Sequence, residues 1–556
     1  MSSFVIPGFS GMAPRVGDAY LQDSQATKAV NCNLSSNELR ALRGLLPIGP
    51  GTAALKAGNI QTIYRFGQNQ PDDNSYWFHW LTDVEVARSA VSGDTNEITC
   101  YTGDVEPRVT WDVPALTGPG AQYPYGYLTL GVPKPTLIPV ATAGAGGSGD
   151  TLTRSWVVTY IQQVGAVLQE GKPSTPTANL AVKDGQTVTL TNLGTAGPTG
   201  NYNVLAKRIY RVQTGTTGGR YQLVAEIPVT QNSYVDTLVY SQIPGDVLPS
   251  TSYDMPPATT RGDPYTMRGI IALPTGGMAG FAGQDLCLSD AYLYHSWPVR
   301  YRLSTAYPIV AIGSYGSTIV VATTGLLQLA VGNDPQSYSM EQTELRQACV
   351  SKRSLTNING VGVAYASPDG IVMVGPGGAA VATAEIMTRS EWETFNPASI
   401  SAYQWQGRYV GFYNNGTPGG FIFDPQTRNF SLLDFYATAG YFDPKSGDLY
   451  LMVGGNLVEF DGDAAHPLRY DWTSKEFYRV RPMNPGFLKV EATDYPVYVN
   501  VFADSALVAT RRVENSRLVR MPSGYQASKF RIQVVGTNGV QMVMLAETSD
   551  DFQGGR

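Results

Sequence analysis

The chain has 556 residues and a formal net charge of −6, with hydrophobic residues at 43% and charged residues at only 15%. That is apolar enough for several packed cores, and well below the ~25% charge usual in soluble domains. No basic tract of the kind that holds a nucleic-acid backbone is present, and no apolar run reaches the ~18 residues of a membrane span, so a tight DNA or RNA binder and a helical membrane protein are both excluded. Tyrosine is abundant, at 33 residues, and Gly 60 and Pro 36 are spread along the whole chain. Short Tyr-, Thr- and Val-rich runs between Gly, Pro and Asn turns read as all-β.

In chain order, residues 1–50 form a proline-punctuated arm whose opening, MSSFVIPGFSGMAPR, lacks the basic region of a signal peptide. The one segment with helical character is Leu21–Cys32. Residues 60–112 give strand-like runs (IQTIYRF, SYWFHWL, VEVARSA, EITCYTG, RVTW), about one blade's worth. A Pro-, Gly- and Tyr-rich loop follows, and then ATAGAGGSGD, which reads as a flexible turn or linker. From 152 to 250 the runs RSWVVTYIQQVG, QTVTLTNL, AKRIYRVQT, YQLVAEIPV and NSYVDTL predict a sandwich of about seven strands. With Trp156 and Tyr160 in an early strand, RIYR at Arg208–Arg211 and Tyr234-Val235-Asp236 before the close, this stretch resembles a fibronectin type III module.

Between Met278 and Phe460 one figure recurs five times: an apolar run, a glycine turn, a second apolar run. The turns centre on Gly283, Gly325, Gly370, Gly416 and Gly455, at separations of 42, 45, 46 and 39 residues. A period of about 40–45 residues is that of a four-stranded propeller blade. Counting the N-terminal blade, about six blades are expected, with early and late strands pairing to close the ring. Residues 473–556 alternate again (FLKVEA, YPVYVNVFAD, SRLVRMP, KFRIQVVG, VQMVMLAE) as a terminal β-sandwich. This tail carries 11 Lys and Arg against 8 Asp and Glu; residues 1–472 carry 28 against 37. The expected architecture is thus an arm and first blade (1–132), an inserted fibronectin III- or Ig-like sandwich (133–250), the remaining blades (251–472) and the C-terminal sandwich (473–556).

Residues that could carry chemistry are few. His79, His295 and His466 fall on separate elements, which disfavours both a histidine metal site and a Ser-His-Asp triad. Cys32, Cys100, Cys287 and Cys349 form no C-x-x-C pair and read as buried thiols in a reducing compartment. Asp461, Asp463 and Asp471 lack the further ligands of a calcium loop and read as turn formers. Glu385, Glu391, Glu393 and Asp369 could serve a glycosidase only if two faced each other across a sugar. SPDGI at Ser367–Ile371 departs from the sialidase box at its glycine and lacks the following tryptophan. Arg261-Gly262-Asp263 sits in an apparent interdomain turn. No catalytic, cofactor-binding or metal residue is therefore assigned, and the expectation is a protein that is not an enzyme.

A set of phrases then stands out: Tyr253-Asp254-Met255-Pro256-Pro257, FAGQDLCLSDAYLYHSWPVRYRL, VGNDP at Val331–Pro335, QACVSKRS at Gln347–Ser354, YASPDGIV at Tyr365–Val372, TRSEW, NPASI, GRYVGFY and GFIFDP at Gly420–Pro425, with PGFSGMAPR and AVNCNL in the arm. As a set they resemble the tail nozzle proteins of short-tailed bacteriophages, the tail tubular protein B group. The resemblance implies a virion structural protein assembled in the host cytoplasm. Six copies would form a tube below the head-to-tail adaptor, touching tail fibres or spikes and passing genomic DNA without sequence-specific binding. It also implies a gate, for which the stiff loop Leu116–Tyr127 is the candidate. The alternatives are a carbohydrate- or receptor-binding propeller, using Trp297 or Trp392 to stack on sugars, and an unrelated intracellular scaffold.

Overall fold

The computed structural model describes residues 3–48, 55–67, 75–91, 93–120, 122–213, 219–243 and 245–552. It is a β-propeller carrying an inserted sandwich and a terminal sandwich. Blade 1 is Glu85–Arg88, Thr99–Thr102, Arg108–Thr110 and Leu128–Thr129. Blade 2 is Arg268–Ala272, Met278–Ala282, Asp285–Leu288 and Leu303–Ser304; blade 3 is Ile309–Tyr315, Thr318–Thr323, Gln328–Val331 and Ser339–Gln342. Blade 4 is Thr356–Ile358, Gly362–Ser367, Gly370–Gly375 and Gly378–Val381; blade 5 is Ser401–Trp405, Arg408–Asn414, Pro418–Phe423 and Phe430–Leu433. Blade 6 is Ala437–Phe442, Leu449–Val453 and Asn456–Asp463, completed by Gly44–Pro47 from the arm. Each of the five repeated figures is the hairpin of the second and third strands of its blade.

Seven apolar layers close the ring, because each strand turns alternate residues to its two faces. Val363 and Tyr365 face blade 3, against Val320 and Ala322. Their neighbours Ala364 and Ala366 face blade 5, against Tyr409 and Phe421. Similar layers join blades 1 and 2 through Cys100 and Ile270, blades 2 and 3 through Phe281 and Ile312, and blades 5 and 6 through Phe412 and Leu451. The last two layers run through a sheet of only two strands, Thr62–Arg65 and Trp77–Trp80. Trp77 packs on Tyr450 and Met452 of blade 6, and Trp80 packs on Tyr101 of blade 1. The six expected blades are six sets of four strands, of which blade 5 runs on into the terminal sandwich sheet. The runs IQTIYRF and SYWFHWL, read with the first blade, instead make this separate narrow sheet.

The arm is the closing piece. Gly44–Pro47 is the outer strand of blade 6 (Val458↔Pro47, Glu459↔Leu46). Ala26–Val30 pairs with Tyr470–Ser474 on one side and meets Leu432 of blade 5 on the other, where a helix was expected over Leu21–Cys32. A helix of a dozen residues is marginal without an apolar stripe to bury. Here two neighbouring strands offer backbone partners, and Ala26 and Ala29 turn into the core.

The terminal sandwich stacks two sheets around Phe4, Ile6, Trp472, Leu488, Val499, Phe530, Ile532 and Leu545. One layer holds Ala26–Val30, Tyr470–Ser474, Phe477–Met483, Val497–Ala503, Ala506–Val513 and Ala527–Gly536; the other holds Ser3–Ile6, Phe487–Ala492, Val519–Arg520 and Val540–Ala546. Arm strands thus belong to the C-terminal unit, and Tyr470–Trp472 sits there rather than in a blade.

In the insertion, Val140–Val164 is a single 25-residue strand that pairs first with Leu180–Thr191 and then with Val204–Gln213. The stretch read as a linker, ATAGAGGSGD, lies inside it. Register shifts between Ala143 and Gly146 and between Ser148 and Thr151 fall on this run, where Gly146, Gly147 and Gly149 have φ of 90°, 84° and 81°. Glycines that supply left-handed backbone serve a bulge as readily as a turn. Trp156, Val158, Val188, Leu190 and Ile209 form its core. Val164 and Val167 at the hairpin tip enter the layer between blades 1 and 2, beside Trp297, so the insertion is anchored at one end.

Candidate functional site

Charged side chains from several blades converge at the ring's hub, and the phrase QACVSKRS supplies two of them, Lys352 and Arg353. Cys349 is buried between blades 3 and 4, its N–H donating to Thr323 O at 2.9 Å. Val350 N–H donates to Ala366 O at 3.1 Å, and the Ser351 hydroxyl to Ile400 O at 2.6 Å. These bonds turn the chain through a short 3₁₀ segment, Lys352–Ser354, that points two cations across the ring. Lys352 Nζ lies 2.9 Å from Asp83 and pairs with Glu85, both on or just before blade 1. Arg353 Nη2 donates to Gln61 O and to Thr438 O, each at 2.7 Å, and to the Tyr403 hydroxyl at 3.3 Å. The other oxygen of Glu85 accepts from Gly269 N–H of blade 2 at 3.0 Å.

Two adjacent residues thereby tie blade 4 to the far side of the ring. Burial holds the Lys352 ammonium below its usual range, partly offset by Asp83. Lys352 thus meets two carboxylates and Arg353 Nη2 two carbonyls and a hydroxyl, so the cluster acts as a strut across the axis. Sequence reading singled out the phrase but not its role. The signal was a Lys-Arg pair next to apolar strands in a charge-poor chain, and its partners lie about 50 to 290 residues away.

The histidines sit apart. His79 is buried, with Nδ1–H donating to Trp77 O at 3.0 Å and Nε2 accepting from Lys56 N–H at 2.9 Å. His295 is buried between the rings of Tyr253 and Tyr294, and burial depresses it to about 4. His466 is exposed and meets Asp463 at 2.8 Å. Among the described residues no three His, Cys, Asp or Glu side chains are grouped as a metal site would need. All four cysteines are buried free thiols, and burial pushes Cys287 and Cys349 up to about 12.

The carboxylates are engaged one by one. Asp461 accepts from Arg43 N–H at 2.6 Å, Asp463 closes its own turn on Ala465 N–H at 3.0 Å, and Asp471 pairs with Lys28 at 2.6 Å. Glu391 caps the helix Arg389–Glu393 by accepting from Thr388 N–H at 2.6 Å. Glu393 pairs with Arg389 at 3.0 Å, Asp369 accepts from Gln347 at 2.6 Å, and Glu385 pairs with Arg428. Arg261 is bound to Glu106 at 3.0 Å, and Asp263 accepts from Ala258 N–H at 2.9 Å, so the RGD tripeptide is a folded turn. Trp297 and Trp392 are core residues, their indole N–H groups donating to Tyr294 O at 2.9 Å and Ser367 O at 2.8 Å. Neither ring is available to stack on a sugar. The Leu116–Tyr127 loop is held to its own subunit: Tyr123 O accepts from His79 N–H at 3.1 Å, and Tyr125 N–H donates to Ala115 O at 2.9 Å. Ala121 lies outside the described residues. Among the described residues no helix is long and apolar enough to cross a membrane.

The sequence matches no protein-family model and no curated protein. Solved structures with partial likeness include Hsv2 of Kluyvelomyces marxianus, with TM-score 0.25 and 10% identity over 48% of this chain and 69% of that one. Another is the dihydro-heme d1 dehydrogenase NirN, with TM-score 0.25 and 12% identity over 67% and 74%. A third is the extracellular domain of the hybrid two-component system BT3049 of B. thetaiotaomicron, with TM-score 0.27 and 8% identity over 92% and 76%. The propeller assignment rests on the sheet order and the seven closing layers described above.

Proposed function

We propose that this chain is a structural virion protein: one subunit of a hexameric tail nozzle of a short-tailed bacteriophage, set below the head-to-tail adaptor and conducting DNA during ejection. The observation that carries the reading is the set of nozzle-like phrases. In this fold they are the parts that build and close the ring. FAGQDLCLS spans the hairpin of blade 2, YASPDGIV that of blade 4, GRYVGFY and GFIFDP that of blade 5, and QACVSKRS forms the hub strut. The strut bears on the reading in a second way. With Lys352 and Arg353 spanning the hub, DNA would pass between copies and not through a propeller. An acidic balance over residues 1–472 suits such a wall, since cationic walls would hold phosphates. The protein would then act by assembly and not by catalysis.

Electron microscopy and native mass measurement of the purified protein test this. The expected result is a sixfold ring of six 59.9 kDa chains that binds an adaptor ring. A protein that stays monomeric at all concentrations and is missing from virions overturns it. The gate is tested separately by deleting 117–120, the exposed tip of the Leu116–Tyr127 loop; particles should then leak DNA, and unchanged retention removes the gate.

A further inference from the structure

The chain carries two exposed strand edges of opposite charge on different units. The first is Ala506–Val513 in the terminal sandwich, which among the described residues pairs only with Val497–Ala503 and has no strand on its other side. The end of this strand, the turn after it and the short strand Val519–Arg520 of the facing sheet read RRVENSRLVR at Arg511–Arg520, four arginines to one glutamate. Arg512, Arg517 and Arg520 are exposed. Arg512 meets Glu514 at 3.2 Å, a solvated pair, and no salt bridge among the described residues engages Arg517 or Arg520. Leu507 and Leu518 beside them are 55% and 40% exposed. Arginine set among exposed apolar side chains is the composition of an interface and not of an inert surface.

The second edge is Ser339–Gln342, the outer strand of blade 3, which among the described residues pairs only with Gln328–Val331. Glu341 and Glu344 are exposed and have no salt-bridge partner among the described residues; Asp334 precedes them and Arg346 follows. Other blades handle this position differently. The outer strand of blade 5 is covered by Ala26–Val30, that of blade 6 is the arm itself, and that of blade 4 reads GAAV, without charge. A strand edge of one sign repels its own kind and so guards against random pairing. An edge of the opposite sign is the partner it accepts, with attraction that steers the encounter.

We propose that the arginine patch Arg511–Arg520, at the end of the Ala506–Val513 edge of one copy, docks on the Glu341–Glu344 patch along the Ser339–Gln342 edge of the next. The two patches differ, so the contact is head-to-tail, the kind that generates a ring when its rotation closes. This inference rests on the assembly reading above and names its contact.

The test uses the full chain and two variants. One carries Arg512→Glu, Arg517→Glu and Arg520→Glu; the other carries Glu341→Arg and Glu344→Arg. All five side chains are exposed, and an unchanged melting temperature checks the fold. By native mass and light scattering, each variant alone should need at least about tenfold more protein to assemble than wild type. An equimolar mixture should recover assembly, because every unlike contact then joins arginine to glutamate. If wild type assembles but both variants match it, or if the mixture does no better than either variant, this contact is wrong while the nozzle reading stands. If wild type never assembles, the nozzle reading itself falls.

Discussion

Single side chains in this protein do most of their work where a charge has been taken out of water. Asp236 shows this in the insertion: one carboxylate oxygen accepts from Arg211 at 2.8 Å and from the Trp156 indole N–H at 2.9 Å, and all three residues are buried. Removing one partner of a buried pair strands the other, at a cost of about 3–5 kcal/mol. Asp236→Asn should lower stability by that order in urea unfolding, and Trp156→Phe, which loses only a hydrogen bond, by about 1–3 kcal/mol. Equal effects would mean that the carboxylate charge is not what holds the site. Arg353→Ala leaves two backbone carbonyls and a hydroxyl without their donor and should cost about 2–4 kcal/mol. A negligible change in the unfolding midpoint would show that the strut bears no load.

His295 gives a pH test. Its folded value, about 4, lies below the ordinary 6.5 it regains on unfolding. Below pH 6.5 the unfolded chain therefore takes up the proton first, and stability present at neutral pH is lost as pH falls. The loss is about 1.4 kcal/mol per pH unit, to a limit of about 3 kcal/mol near pH 4. His295→Phe should flatten that slope between pH 6.5 and 4.5; a variant with the wild-type slope would place the titration elsewhere.

Strands separate what the sequence makes legible from what it hides. The hairpins around Gly283, Gly325, Gly370, Gly416 and Gly455 were readable because both strands are apolar on two faces and the turn is fixed by glycine. In blade 5, for example, Val410 and Phe412 face blade 6, and Tyr409 and Phe421 face blade 4. The outer strands were not readable. Ser339–Gln342 is almost wholly exposed, and Leu303–Ser304 has two residues, so neither carries an apolar pattern. The arm was opaque for another reason: Ala26–Val30 is a strand only because Asp471–Ser474 lies beside it, more than 440 residues away. The hub was hidden likewise, since Lys352 has no visible partner until blade 1 comes round to meet it. At this scale we expect that removing residues 1–48 exposes the open edge of blade 6 and strips Phe4, Ile6, Phe9, Ala26 and Ala29 from the core of the terminal sandwich. The truncated chain should be recovered as aggregate or be cut rapidly by protease, whereas a soluble, protease-resistant product would show the arm to be dispensable.

For the whole molecule, the units are fused and not strung together. The insertion's tip is packed between blades 1 and 2, and one sheet runs from blade 5 through Ala26–Val30 into the terminal sandwich. A subunit built this way transmits force through backbone hydrogen bonds and not through flexible joints, which suits a proposed wall under pressure. If copies associate through charged edges, assembly should weaken as salt rises past about 0.5 M, where screening reaches within ~5 Å. Light scattering across a salt series checks this, and a ring indifferent to salt would point to an apolar contact instead.

The pairing of the arm strands also sets a clock. Ser3–Ile6 pairs with Val540–Ala546, and Gly44–Pro47 with residues near 460. At about 5–20 residues per second of synthesis, the arm emerges roughly 20–100 s before its last partners exist. During that interval the arm strands have no partners to pair with. The arm is therefore among the last segments to find its place, and a subunit cannot close, nor offer finished edges to a neighbour, until Val540–Ala546 has left the ribosome.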